Sequence, residues 1–296
     1  MNVTLTTEQA QRLSGAGFLD YLESIGGSHA ERGTLDAHYR KSGGVSQSFL
    51  WSMDPMPAHA FIETPDAPHF VVGRRVHHAI LTPHDPIPDV VVKPEFLGVD
   101  DKGKPWKWNG NRNDCKAWVA EHEAAGRVVM SRDDYEVEKG CIESLTKNPV
   151  VSELFAAGDS EVSLFRTMNV DSVRFVKKAR IDWAPRNMRC LVDLKTVRVG
   201  CSGLRDFQRS IDWEGYGPQA ASYIDDWNAC HPDDQRDEFC WVVVEKGFPF
   251  TIQFYKVKGP KIEHHLRTIN KRLSTFAECL RDGVFPGDNN EIQEVI

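Results

Sequence analysis

Three residues of this 296-residue chain have types and spacing that suggest chemistry: Asp182, Asp193 and Lys195. They lie in IDWAPRNMRCLVDLKT, from Ile181 to Thr196. Val192, Leu194 and Thr196 alternate with Leu191, Asp193 and Lys195, the period of two that marks a strand. Asp193 and Lys195 therefore project from one face. Pro185, Arg186 and Asn187 supply a turn, and Asp182 ends the preceding strand, where it comes close to Asp193. Two adjacent carboxylates repel unless a cation lies between them. A site of hard oxygen ligands suits Mg²⁺, with Mn²⁺ as a substitute.

The charge pattern points to what such a site would act on. From Arg166 to Arg209 there are eleven Lys/Arg against four Asp/Glu, a local balance of +7 in a chain whose net charge is −7. A basic surround about an acidic metal site fits a phosphodiester. The competing explanation is a set of solvated strand faces and turns.

The flanking sequence predicts the elements that hold this hairpin. TTEQAQRLSGAGFLDYLESI has helical spacing of Leu13, Phe18, Leu22 and Ile25, interrupted by Gly15 and Gly17, and GGSHAERG reads as a linker. Residues 1–34 are thus expected to form a helical arm, and residues 35–296 one domain. Ser46 is a predicted N-cap, with a second short helical turn carrying the chain to Pro65. Val72, Val76, Ala79 and Ile80 stripe a helix over Val71 to Leu81, in which Gly73 permits close packing and His77 shares its face. On its own His77 is more simply a surface or core residue than a ligand. Asp85 to Gly110 is Pro-rich and reads as irregular. Trp106 and Trp108, flanked by Lys104 and Lys107, could stack on a nucleic-acid strand, although a surface hairpin with inward-packed indoles is the favoured reading.

Helices are predicted from Asn113 to Ala125, from Ser131 (an N-cap followed by Asp133 and Asp134) to Thr146, and from Pro149 to Ala157. Strands are predicted over 161–167, 172–183 and 189–197. A basic loop, GLRDFQRSIDWEG, leads to a helix on which Gln219 and Tyr223, four residues apart, share a face. Ala220 and Ala221 allow that helix to approach the sheet. FCWVVVEKG is a buried strand, FPFTIQFYKV its hairpin partner, and Pro260 to Arg281 a final amphipathic helix, followed by a polar tail expected to be exposed. The order predicts an α/β fold with a central mixed sheet flanked by helices and a helical N-terminal region.

Composition narrows the class. Hydrophobic content of 41% and charged content of 27% are ordinary for a globular protein. No apolar run is long enough to span a membrane, and the N-terminus lacks a secretory signal. Seven scattered cysteines, odd in number and without a CxxC pair, predict reduced thiols in a cytoplasm and no zinc or iron–sulfur cluster.

Taken together, Asp182, ten residues, Asp193-Leu194-Lys195, then Gln219 and Tyr223 resemble the PD-(D/E)xK nuclease superfamily. The Gln-x-x-x-Tyr helix is similar to that of the RecB-like and phage recombination exonucleases. VSQSFLWSMDPMPAHAF resembles the opening of the exonuclease VIII (RecE) nuclease domain, and GRRVHHAILTP resembles its histidine segment, which places His77 on a metal ligand. The resemblance implies that Asp193 is the central ligand with the Leu194 carbonyl beside it, and that Asp182 is the second carboxylate. It further implies that His77 completes one metal's shell, with Glu161 a further acidic ligand. Lys195 would hold and help deprotonate water or neutralise the scissile phosphate, and Gln219 and Tyr223 would orient the water or terminal nucleotide. Arg180, Arg186, Arg198, Arg205 and Arg209 are candidates for DNA backbone contacts. The implied activity is 5′ to 3′ digestion of double-stranded DNA ends, leaving 3′ single strands for an annealing protein, by a homo-oligomeric ring, trimer or tetramer. The alternatives are a sequence- or structure-specific endonuclease, a non-catalytic DNA-binding or annealing module and, with less support, a small-substrate metallohydrolase.

Overall fold

The computed structural model describes residues 1–32, 36–63, 68–99 and 101–288. Its centre is a mixed sheet of strands β1 (Ser28–Glu31), β2 (Gly158–Val170), β3 (Val173–Pro185), β4 (Cys190–Val197), β5 (Glu238–Glu245) and β6 (Ile252–Lys258), in spatial order 6-5-4-3-2-1. Only β4 and β5 run parallel within that path. Both are buried, which is why CLVDL and FCWVVV read as nearly continuous apolar runs.

β3 lies at a fork. Near its start it pairs in parallel with the short strand Val45–Ser46, through Lys177 and Lys178. Near its end it pairs with β4 through Val192 and Trp183. The two neighbours diverge between these points, and Asp182 sits beside the second pairing.

Helices cover both faces. Helix α1 (Thr7–Ser14) and helix α2 (Ala16–Ser24) meet at Gly15, whose φ of 69° ends one helix and begins the next. The single interrupted helix expected here is therefore two. Helices α3 (Pro68–Leu81) and α4 (Arg132–Lys147) pack Val72, Val76, Cys141 and Leu145 against Val192, Leu194, Val242 and Val244. On the other face, α5 (Leu204–Trp213) and α6 (Tyr216–Cys230) pack Phe207, Ala220, Ile224 and Trp227 against Ile181, Leu191, Phe239 and Trp241. Helix α7 (Pro260–Asp282) closes a third cluster with Phe175, Phe276 and Phe285. Ser131 caps α4 by accepting the Asp134 N–H at 3.0 Å.

Other local expectations change. GGSHAERG is no linker: Ser28–Glu31 pairs antiparallel with β2, because the sheet edge offers hydrogen-bond partners that short-range sequence does not reveal. Leu19 and Leu22 are buried against Phe165 and Val176 of the main sheet. The basic loop GLRDFQRSIDWEG contains α5, whose Phe207 finds a buried slot between Trp241 and Tyr255. Within the irregular Asp85–Gly110 stretch, Phe96–Val99 and Pro105–Lys107 form a hairpin. Trp106 lies under the Arg112 guanidinium and Trp108 against Trp118, with both indoles half-buried. Pro65 and residues 289–296 of the polar tail lie outside the described residues. All seven cysteines are free thiols. No described helix is long and apolar enough to cross a membrane.

Candidate active site

Strand alternation turns Asp193 and Lys195 toward α6, while Val192 and Leu194 pack under α3 and α4. Lys195 Nζ donates to Asp193 Oδ1 at 3.0 Å and to Gln219 Oε1 at 3.1 Å, and Gln219 Nε2 donates to the Tyr223 hydroxyl at 3.1 Å. The one-turn spacing on α6 thus extends a hydrogen-bonded chain from the strand into the cleft. Tyr216, which sequence reading missed, places its ring 4.7 Å from the ammonium.

Asp182 enters at the fork. Its Oδ2 accepts the Leu194 N–H at 3.1 Å, so its carboxylate reaches the backbone between Asp193 and Lys195. From the opposite side of the sheet, His77 Nδ1 comes within 3.6 Å of the same oxygen, and the Leu194 carbonyl faces the imidazole. The helix can come this near because Gly73 has no Cβ; one built there would stand 3.1 Å from Thr196 Oγ1.

Glu161 joins them by backbone strain. Its φ is 50°, in the left-handed region, although it is neither glycine nor asparagine. It falls opposite Asp182, between the Ser160–Trp183 and Val162–Ile181 pairs. Its side chain bonds Arg180 and lines the cleft.

The electrostatics follow from crowding. Burial, then the neighbouring Asp193, hold the Asp182 carboxyl well above the usual range. Burial pulls the Lys195 ammonium down, but Asp193 and Asp182 outweigh it and keep the amine above its ordinary value. Burial lowers His77 to about 4 against the opposing pull of Asp193. The imidazole is therefore neutral near pH 7, as a metal ligand must be, and its contact with Asp182 is no ion pair there. Its cleft edge stays wet, with 29% of the side chain exposed. Burial also raises the Tyr223 phenol well above 10, leaving it neutral.

Among the described residues, no three His, Cys, Asp or Glu side chains stand close enough together to hold a metal ion as they are. The donors still fit a hard divalent cation. Asp193 Oδ2 is shielded from solvent and accepts no directed hydrogen bond, although Lys195 Nζ lies 2.8 Å away. Mg²⁺ is commonly bound by one or two carboxylates while retaining several waters, and Asp182, Asp193 and the Leu194 carbonyl supply that number.

A cleft of about 1080 Å³ opens over the site. Of the five predicted phosphate-contacting arginines, Arg180 lines it, while Arg186, Arg198, Arg205 and Arg209 do not. Arg186 instead pairs with Asp159 at the end of the β2–β3 ladder, and Arg209 with Asp206 on α5. The cleft's other cations are Arg12, Arg40, Arg74, Lys178 and Lys246. Counting charge along one stretch of sequence favoured neighbours in the chain; these five come from scattered segments.

A family model described as a PDDEXK-like domain of unknown function (DUF3799) matches residues 59–295. No curated protein matches the sequence. Among solved structures, a candidate exonuclease from Eubacterium rectale is similar over 99% of this chain and 96% of its own, with a TM-score of 0.54 and 12% identity. At that identity the likeness concerns the fold alone. A phage-related exonuclease from Haemophilus somnus 129PT aligns with 62% of this chain and 92% of its own, at a TM-score of 0.30 and 12% identity.

Proposed function

Since this chain belongs to the PDDEXK-like family DUF3799, we propose that it is a divalent-metal-dependent exonuclease that hydrolyses DNA from double-stranded ends. The observation that carries this reading is the continuous series Asp193–Lys195–Gln219–Tyr223, whose Tyr223 end meets a cation-lined cleft that Asp182 and His77 also line.

Asp193, Asp182 and the Leu194 carbonyl would hold the cation, with His77 and Glu161 at its margin; Mg²⁺ is the expected ion and Mn²⁺ a substitute. The bound metal would supply Lewis-acid stabilisation of the scissile phosphate and an acidified water. Lys195, kept protonated by its two carboxylate neighbours, presents positive charge where the phosphorane-like transition state gathers negative charge. Gln219 fixes the ammonium's direction and is itself fixed by Tyr223. Arg180, tied to Glu161, and Lys178 lie in the cleft as contacts for the DNA backbone.

A 5′ to 3′ polarity, 3′ single strands handed to an annealing protein, and a trimeric or tetrameric ring around the duplex belong to the same proposal. They rest on the resemblance of the His77, Asp182, Asp193, Lys195, Gln219 and Tyr223 set to the exonuclease VIII branch. The test is digestion of linear duplex labelled at either the 5′ or the 3′ end, beside covalently closed plasmid, with Mg²⁺, Mn²⁺ or EDTA. Metal-dependent release from linear DNA with the plasmid left closed is expected. Linearised plasmid would overturn the exonuclease reading in favour of an endonuclease. DNA binding without hydrolysis under every metal would overturn the nuclease reading.

A further inference from the structure

Next to the catalytic cleft lies a second cavity of about 410 Å³, built by the N-terminal segment. Its walls are Phe18, Tyr39 and Phe165, and its rim carries Gln11, Glu31 and His38. None of these residues falls within the stretch that carries the metal site, and all but Phe165 precede the family match.

Tyr39 is the partition between the two spaces, since it lines both. On the cleft side its ring is 5.0 Å from Lys178 Nζ and 5.7 Å from the Arg180 guanidinium, and its phenol is close enough to Tyr223 to be felt there. On the cavity side it meets Phe165, ring centroids 6.1 Å apart, and Phe165 in turn meets Phe18 at 5.3 Å. Lys178 is locked to this wall by donating to the Tyr39 and Ser42 carbonyls at 3.0 and 2.6 Å. Arg12 and Arg40 crowd the same ammonium closely enough to add to the burial that lowers it. Three cations thus stand on the cleft side of an aromatic wall, with an aromatic cavity behind it.

We propose that this cavity receives one unstacked nucleobase from the DNA end, while the attached phosphates lie on Arg12, Arg40 and Lys178. The inference rests on the nuclease reading of the adjoining cleft. An apolar cavity alone would accept many occupants. A base is selected by the joint requirement for aromatic faces, a hydrogen-bonding rim containing the Gln11 amide, and cations one ring's width away where its backbone must run. Its volume falls within the range of roughly 300–1,000 Å³ of small-molecule sites, room enough for a nucleobase. Holding the terminal base there would splay the duplex end and feed one strand toward Asp193 and Lys195.

The experiment uses the intact chain in EDTA with linear duplex carrying 2-aminopurine at its terminal positions. Wild type and Tyr39→Phe are expected to change the probe's fluorescence on binding. Tyr39→Leu, which keeps bulk and loses the aromatic face, is expected to lose that change and bind five-fold or more weakly. In parallel, 5-iodouracil at the same positions is cross-linked to wild-type protein by light and the adducts mapped by mass, a readout independent of whether Tyr39→Leu folds. Adducts at Phe18, His38 or Tyr39 support the pocket; adducts confined to other residues overturn it. So does a folded Tyr39→Leu protein that binds and responds like wild type. Unmodified linear duplex with Mg²⁺ separates the two readings. Hydrolysis without the aromatic-dependent signal sinks the base pocket alone. The signal without hydrolysis sinks the nuclease reading and keeps the pocket as a DNA-binding site.

Discussion

Asp226→Ala should destabilise the fold far more than Lys177→Met, although the two side chains form one buried ion pair at 2.9 Å. Arg166 Nε also stands 2.8 Å from Asp226 as a second ion pair, and Arg166 reaches Asp225 as well. Lys177 is 0% exposed and Asp226 2%. At an effective dielectric of about 20, each contact is worth roughly 6 kcal/mol before desolvation. Desolvation of an ammonium removes most of that gain. The imbalance is visible in the two cations: burial and the Arg166 charge leave Lys177 below its ordinary pKa despite Asp226, whereas for Arg166 the two aspartates outweigh burial and raise it.

Lys177→Met removes the costly cation and leaves Arg166 on Asp226, so a change within about 1 kcal/mol of zero is expected, of either sign. Asp226→Ala strands the buried Lys177 ammonium and leaves Arg166 with Asp225 alone, and should cost about 3–5 kcal/mol. Because Asp226 lies one turn beyond Tyr223 on α6, it should also loosen the helix that orients Gln219. Urea denaturation followed by fluorescence gives both values, with the m-value checking that the unfolding is unchanged in extent. A Lys177→Met loss equal to that of Asp226→Ala would refute the unequal sharing of this carboxylate. The sign with pH agrees. A lysine whose folded pKa is depressed penalises the fold fully below that pKa and releases the penalty as pH climbs toward the unfolded value. Alkaline pH should therefore stabilise wild type more than Lys177→Met.

Lys195→Ala and Asp193→Asn should each lower the hydrolysis rate at least about a thousand-fold with the thermal transition retained, measured by single-turnover digestion; a residual rate within tenfold of wild type would contradict their placement. Gly73→Val should lower both stability and activity, because a Cβ at 3.1 Å from Thr196 Oγ1 already forces a small shift and the branched methyls force more; Thr196→Ala should restore part of the loss in a double-mutant cycle. Lys178, lowered by burial and then by Arg12 and Arg40 to about 8, should release its penalty between about pH 8 and pH 10, which a urea-midpoint series would record as a rise that Lys178→Met flattens. EDTA should abolish hydrolysis and added Mg²⁺ restore it, with DNA binding by filter retention surviving chelation.

Sequence alone determined the central strands and the spacing of the candidate site residues. Period-two alternation put Asp193 and Lys195 on one face, and four-residue spacing put Gln219 and Tyr223 on another. These are local rules of backbone geometry, so they survive without knowledge of neighbours. Gly73 and the Ser131 cap were legible for the same reason. The turn read over Pro185, Arg186 and Asn187 begins one residue later, since Pro185 is the last residue of β3 and pairs with Gly158. What tertiary structure decided was everything set by long-range pairing. Ser28–Glu31 became a strand only because β2 offered it an edge. Phe207 helped turn a basic stretch into a helix because a core slot lay opposite. Glu161 entered the cleft through a left-handed kink that no propensity announces. Of the charge-rich run's cations only Lys178 and Arg180 line the cleft, and Arg12, Arg40, Arg74 and Lys246 join them from distant segments, since a surface potential sums over space and a sequence window sums over the chain.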